Sequence, residues 1–290
     1  GAFLLLVPDG WTTEGGIFRV NPMVIDGAGQ SIEAKLDFTL KRDPAGKVMI
    51  RFIPHTNYVL PGPYVITPVV NGMPVVPMPT PAAFLTGNFN SLRPAARNVQ
   101  VLATQARPDI VQAVLQGPKA RTLQAAGAQY QVNAAMVTVG YEEGGIRFKE
   151  LLFTAIEGFS MMNTGMWTNA MTIVARAPAD EAEAWIPTVK VVLNSFQLNP
   201  RWVEAETKGQ RYRADVSADT LRTIAQLDRE IADNRARTQQ SIHNDNYLTL
   251  TNQEEYVNPF TNRTELGSHE WKHRWENSAG EVIYTDDAHW

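Results

Sequence analysis

Apolar and polar residues alternate most regularly in the middle of the chain, and the alternation predicts an antiparallel hairpin. Its first arm is residues 135–143, and Gly144-Gly145 supplies the positive φ angles that a tight turn needs. The second arm, residues 146–156, puts Ile146, Phe148, Glu150 and Leu152 on one side. Arg147, Lys149, Leu151 and Phe153 fall on the other. Residues 167–176 read as a further strand. Residues 179–196 read as a helix with an apolar stripe at Trp185, Val189, Val192 and Phe196. Asp180 and Glu183 make a capping-box-like start, Pro187 interrupts the helix, and Leu198-Asn199-Pro200 ends it.

Earlier in the chain, residues 3–7 predict a strand closed by Pro8-Asp9-Gly10-Trp11, and residues 12–20 continue with a turn at Gly15-Gly16. Residues 31–42 alternate as a half-buried strand, Asp43-Pro44-Ala45-Gly46 is a turn, and residues 47–53 return. Residues 58–81 hold seven prolines and predict an extended crossover. A short helix over 82–92 is stopped by Pro94, a strand follows at 98–104, and short helical pieces lie at 109–114 and 120–124.

After about residue 208 the pattern changes. Residues 217–243 are strongly polar, with apolar residues at Leu221, Ile224, Leu227 and Ile231, a narrow stripe that suits a long amphipathic helix with Ser217 as its N-cap. Residues 247–290 predict two small hairpins rich in aromatics. The expected organisation is an α+β domain over 1–207, a long helix over 208–246 and a β tail over 247–290. The fold class is α+β: a curved antiparallel sheet flanked by helices, then the long C-terminal helix and the hairpin tail.

Composition narrows the function. The chain has 290 residues, 44% of them hydrophobic, and a net charge of −4. That balance, with no dense Lys/Arg stripe, argues against a nucleic-acid partner. There is no cysteine, which excludes thiolate catalysis, disulfides and Cys-type metal sites. No segment is long and apolar enough to span a bilayer. The run at 2–7 is short and lacks the basic start of a signal peptide, so any export signal is expected to have been removed.

The opening Phe3…Val7-Pro8-Asp9-Gly10-Trp11, the order of elements, and the closing helix with Asn194-Ser195-Phe196 resemble PsbP-like and DcrB-like domains over residues 2–204. The resemblance implies a curved antiparallel sheet flanked by helices. It also implies a non-enzymatic accessory or binding role, often in a cell envelope or thylakoid lumen, sometimes as a chaperone for secreted partners. It brings no catalytic residues with it.

Candidate chemistry is sparse. His269-Glu270-Trp271-Lys272-His273 matches H-E-x-x-H, in which a helix sets both histidines on zinc and the glutamate activates water. Its flanks are Gly267-Ser268 and Asn277-Ser278-Ala279-Gly280, too short for that helix. His269, Trp271, His273 and Trp275 also alternate as on a strand, and a third ligand would have to come from Asp286, Asp287 or His289. The acid pairs Glu142-Glu143, Glu254-Glu255 and Asp286-Asp287 read as solvated turn edges. No nucleotide-binding glycine motif is present, so no cofactor is expected.

Met161, Met162, Met166 and Trp167 form an apolar cluster in sequence that suits either core or an adaptable partner surface. With Leu221, Ile224, Trp271 and Trp275 they are the candidate binding residues. The expected function is a non-catalytic binding protein, exported and associated with an envelope or secretion, whose partner is another protein. The alternatives are a zinc hydrolase on His269, Glu270 and His273, and a carrier of an apolar ligand in a cavity lined by Phe38, Phe52, Phe153 and Trp185.

Overall fold

The structure is a computed structural model that describes residues 1–23, 27–63, 65–161 and 164–289. For Leu221, Ile224, His243 and Asn246 it describes the backbone alone. The chain divides into two compact units, Gly1–Ser217 and Ala218–Trp290.

The elements of the first unit run in this order: β1 (Phe3–Leu4), β2 (Thr12–Phe18), β3 (Lys35–Lys41), β4 (Met49–Ile53), β5 (Asn57–Val59), β6 (Val69–Val70), β7 (Met73–Pro74), α1 (Pro81–Leu92), β8 (Arg97–Ala106), α2 (Pro108–Leu115), α3 (Pro118–Ala125), β9 (Gln129–Glu143), β10 (Ile146–Met161), β11 (Thr164–Pro178), α4 (Ala182–Asn194) and β12 (Gln197–Leu198). Helix α5 (Pro200–Leu250) starts here and crosses the boundary between the units. The second unit adds β13 (Gln253–Val257), β14 (Thr264–Ser268), β15 (His273–Glu276) and β16 (Val282–Thr285).

An open eight-stranded antiparallel sheet organises the first unit. Its order is β2-β3-β4-β11-β10-β9-β8, with β5 also pairing β11. The predicted hairpin is its centre. Glu143 faces Ile146 across Gly144 and Gly145, whose φ angles are 58° and 77°. Positive φ at both positions matches the right-handed twist of the flanking strands.

Partners across a ladder share a face, so the register sorts the side chains. Phe38, Phe52, Ile173 and Phe153 form one row. Leu40, Ile50 and Phe52 on that face pack with Val192 of α4, flanked by Val189, Leu193 and Phe196. The next row, Thr39, Arg51, Val174 and Leu152, lies on the opposite face. There Leu85 and Phe89 of α1 cover Val137, Val139, Tyr141, Phe148, Leu152 and Val174. Both faces of the central strands are therefore covered, each by its own helix.

Three local expectations are corrected. Gly15-Gly16 is not a turn. Both glycines lie inside β2, opposite Phe38 and Asp37, with φ of 87° and 152°. Gly15 is needed because a Cβ there would come 2.1 Å from the Asp37 carbonyl oxygen. Ser217 does not cap the long helix, which begins at Pro200. Asn199 Oδ1 accepts the Arg201 amide at 3.0 Å, and proline at the first helical position has no N–H that would need an acceptor. The space between α4 and the sheet, which the apolar-carrier alternative needs as a cavity, is packed with rings: Phe196 stacks on Phe3 and on Phe52, each at 5.4 Å, and Trp11 meets Trp185 edge-on at 5.8 Å.

In the second unit β13 pairs with β14 and β15 with β16, as the two predicted hairpins require. Asn258 Oδ1 accepts the amides of Phe260 and Thr261, closing the first turn. Arg274, almost buried, bridges Glu265 and Glu276 at 2.7 and 2.8 Å and lies over the Tyr256 ring.

Candidate functional site

The sequence-derived candidates do not assemble into one site. Trp167 is 2% exposed and stacks on Tyr58 at 3.9 Å, and its indole N–H donates to the Val76 carbonyl at 2.8 Å. Met166, its neighbour on the strand, points to the other face and is half-buried, while Met161 is exposed at the end of β10. Met162 lies outside the described residues. Leu221 and Ile224 fall in α5, with side chains outside the description. Trp271 and Trp275 are exposed in the second unit.

Residues 269–272 form a bend between β14 and β15, so His269 and His273 share neither a helix nor a strand. This corrects both the zincin geometry and the expected strand alternation. His269 Nδ1 lies 3.3 Å from Glu254, Glu270 accepts from Asn252, and His273 begins β15 near Trp275. Among the described residues no group of three or more His, Asp and Glu is placed to hold a metal ion.

A polar cleft that the sequence reading did not single out opens on the α1 side of the sheet. It has a volume of about 470 Å³ and is lined by Lys41, Arg51, Arg93 and Arg176 together with Glu14 and Asp37. Its floor is a buried ion network. Glu150 is 0% exposed and receives Arg93 Nε and Nη2 at 3.0 and 2.6 Å, with the Tyr141 hydroxyl donating at 2.9 Å. Arg176 donates to the Gly46 carbonyl at 2.8 Å, to the Tyr141 hydroxyl at 3.2 Å and to Glu143, and its guanidinium covers the Phe148 ring. Arg51 forks onto Asp37 with two bonds of 3.0 Å. Nearer the mouth, Lys41 pairs with Glu14 at 2.7 Å.

Burial works against the Arg93 charge, but the Glu150 hydrogen bonds and charge outweigh it and its pKa ends above the ordinary value. Burial, and then the Glu150 charge, raise the Tyr141 pKa, so this phenol stays protonated. A permanently charged guanidinium is a poor proton acceptor, and a carboxylate held by a guanidinium fork and a phenol is occupied. The chemistry offered is recognition by oriented N–H donors.

One signal for this cleft was present in the sequence. Glu150 stands in the apolar row of Phe148 and Leu152, and a carboxylate there requires a buried cation. The partner is beyond sequence reasoning, because Arg93 comes from the end of α1.

A second feature is β8, the edge of the sheet. Every one of its residues is exposed, and among the described residues it pairs only with β9. Val99, Val101 and Leu102 are its large exposed apolar side chains, and Leu102 lies against Gly140. Between Arg97 and Ala106 the strand carries no charge.

No family model matches this chain, and no curated protein does. Among solved structures it is similar to the solution structure of cyanobacterial PsbP (CyanoP) from Synechocystis sp. PCC 6803. The match covers 68% of this chain and 87% of that one, with 12% identity and a TM-score of 0.25.

Proposed function

We propose that this chain is a non-catalytic binding protein that acts by contact with another protein, and that an extended segment of the partner adds as a strand beside β8. The observation that carries this reading is the open edge. A long, uncharged strand edge presents unpaired amides and carbonyls, and proteins usually blunt such edges with charge, proline or a covering element. Here β8 has none of these between its ends, although two register shifts in its pairing with β9 bend it. Strand addition takes affinity from the main chain and selectivity from alternate side chains, here Val99 and Val101. Arg97, with no ion pair among the described residues, favours a partner segment with an acid at that end. Association with an envelope or with secretion belongs to the same proposal and rests on the resemblance of the opening and closing motifs.

The test is reconstitution. A partner captured from the source organism is purified and mixed with this chain, and hydrogen exchange is followed residue by residue. Protection concentrated in β8, and binding weakened at least tenfold by Val99→Lys with Val101→Lys in a chain of unchanged thermal stability, supports strand addition. Protection elsewhere with β8 unchanged overturns it.

A further inference from the structure

Three guanidiniums in the cleft are each half used. Arg51 commits Nε and Nη2 to Asp37, and Arg93 commits Nε and Nη2 to Glu150. Arg176 commits Nε to the Gly46 carbonyl and Nη1 to Tyr141 and Glu143. Among the described residues, Arg51 Nη1, Arg93 Nη1 and Arg176 Nη2 are left without a partner. In Arg51 and Arg93 the Nε and Nη2 edge is locked by a carboxylate and Nη1 is left to meet a ligand, whereas Arg176 keeps only Nη2.

The three converge around Met49. Met49 faces Arg176 across the β4–β11 ladder, its sulfur lies 3.8 Å from Arg93 Nη2, and Arg51 follows it two positions along the same face of β4. The side chains of Arg93 and Arg176 are only 10% and 7% exposed. Their conformations are fixed by packing, so little further ordering is lost when a ligand arrives. N–H groups of a guanidinium already held by its other bonds are well placed for a charge-assisted hydrogen bond, and an oxyanion is the natural acceptor.

We propose that this cleft binds a phosphate group, either the free ion or the phosphate of a small monoester. The three donors come from separate elements, Arg93 just past the end of α1, Arg51 from β4 and Arg176 from β11, and a tetrahedral anion has more oxygens to share among three guanidiniums than a carboxylate has. Glu14 and Asp37 at the lining oppose a high net negative charge, so the ligand is held by the donors more than by net charge. Binding therefore falls only moderately with salt.

The test is calorimetric titration of the full chain at matched ionic strength with inorganic phosphate, a simple phosphate monoester and acetate. Arg51→Gln is the variant, because Arg51 is partly exposed and its loss leaves the Arg93–Glu150 floor intact. Its fold is checked by circular dichroism and melting temperature. One saturable phosphate site per chain, weakened at least tenfold in Arg51→Gln, supports the proposal. A tighter monoester then marks the ester as the source, and a weaker one marks the free ion. Acetate binding as tightly as phosphate overturns it, as does unchanged binding in the variant or no saturable binding at all.

Discussion

Arg93, the residue that ends α1, meets Glu150 in the middle of β10 through two hydrogen bonds of 3.0 and 2.6 Å. The residues are 57 positions apart, and Glu150 is fully buried. The pair fastens the helix to the sheet and forms the floor of the cleft.

Removing one partner leaves the other charge buried and unpaired, which costs about 3–5 kcal/mol. Glu150→Ala is expected to lose that much in urea unfolding. Arg51→Gln, whose bond to Asp37 is partly solvated, is expected to lose no more than about 1 kcal/mol. Equal losses would mean that the Arg93–Glu150 pair has no special weight. Replacing Arg93 and Glu150 together with apolar residues is expected to recover most of the loss, because no charge is then left stranded.

Tyr141 gives an alkaline signature. Its folded pKa lies above the ordinary phenol value, because burial and the Glu150 charge disfavour the phenolate. That contribution to stability is complete below about pH 10, the unfolded value, and falls as pH rises beyond it. Tyr141→Phe is expected to be less stable than the parent at neutral pH. The gap should narrow above about pH 10, as read from unfolding free energies at a series of pH values. A gap that stays constant would contradict the assignment.

Gly15→Ala places a methyl against the Asp37 carbonyl at a residue with φ of 87°. Strain of this kind costs on the order of 1–3 kcal/mol, and the backbone clash adds to it. The melting temperature is expected to drop clearly, whereas Gly87→Ala, in open space within α1, is expected to hold or raise it. No difference between the two would show that β2 does not need the glycine.

Asn199→Ala removes the side-chain acceptor at the start of α5 and is expected to cost about 1 kcal/mol, measured by thermal or urea unfolding. Ser217→Ala is expected to cost nothing comparable, since Ser217 lies inside the same helix.

The H-E-x-x-H string is expected to be inert as a zinc centre. Zinc titration should show no tight site that depends on His269 or His273, and Glu270→Gln should change no hydrolytic activity. A tight zinc, one per chain, lost in His269→Ala would restore the metallopeptidase reading.

Much of the fold was legible because it is local. Period-two alternation set out β3, β4 and β10, and a glycine pair marked the central turn that joins β9 to β10. Apolar spacing marked α4. The boundaries that failed share a cause. Asn199-Pro200 closes one helix and opens the next, so a stop signal hid a start. Gly15-Gly16 has the composition of a turn, but the pressure of β3 on β2 is what demands glycine there.

The candidate site was far less legible. Met166 and Trp167 are neighbours in sequence and therefore look like one patch, yet a strand sends them to opposite faces. Aromatic content in the tail said nothing about exposure. Glu150 alone carried a usable signal, as an acid in an apolar row.

The sequence by itself determined the fold class, the central hairpin and the absence of thiol chemistry, since periodicity, turn residues and composition act over a few positions. Only the tertiary structure decided which residues share the cleft, that Arg51, Arg93 and Arg176 each keep one terminal nitrogen without a partner among the described residues, and that β8 stands at the edge of the sheet. Those outcomes depend on ladder register and on helix docking. Both are set by burial summed over residues far apart in the chain, and no local pattern records that sum.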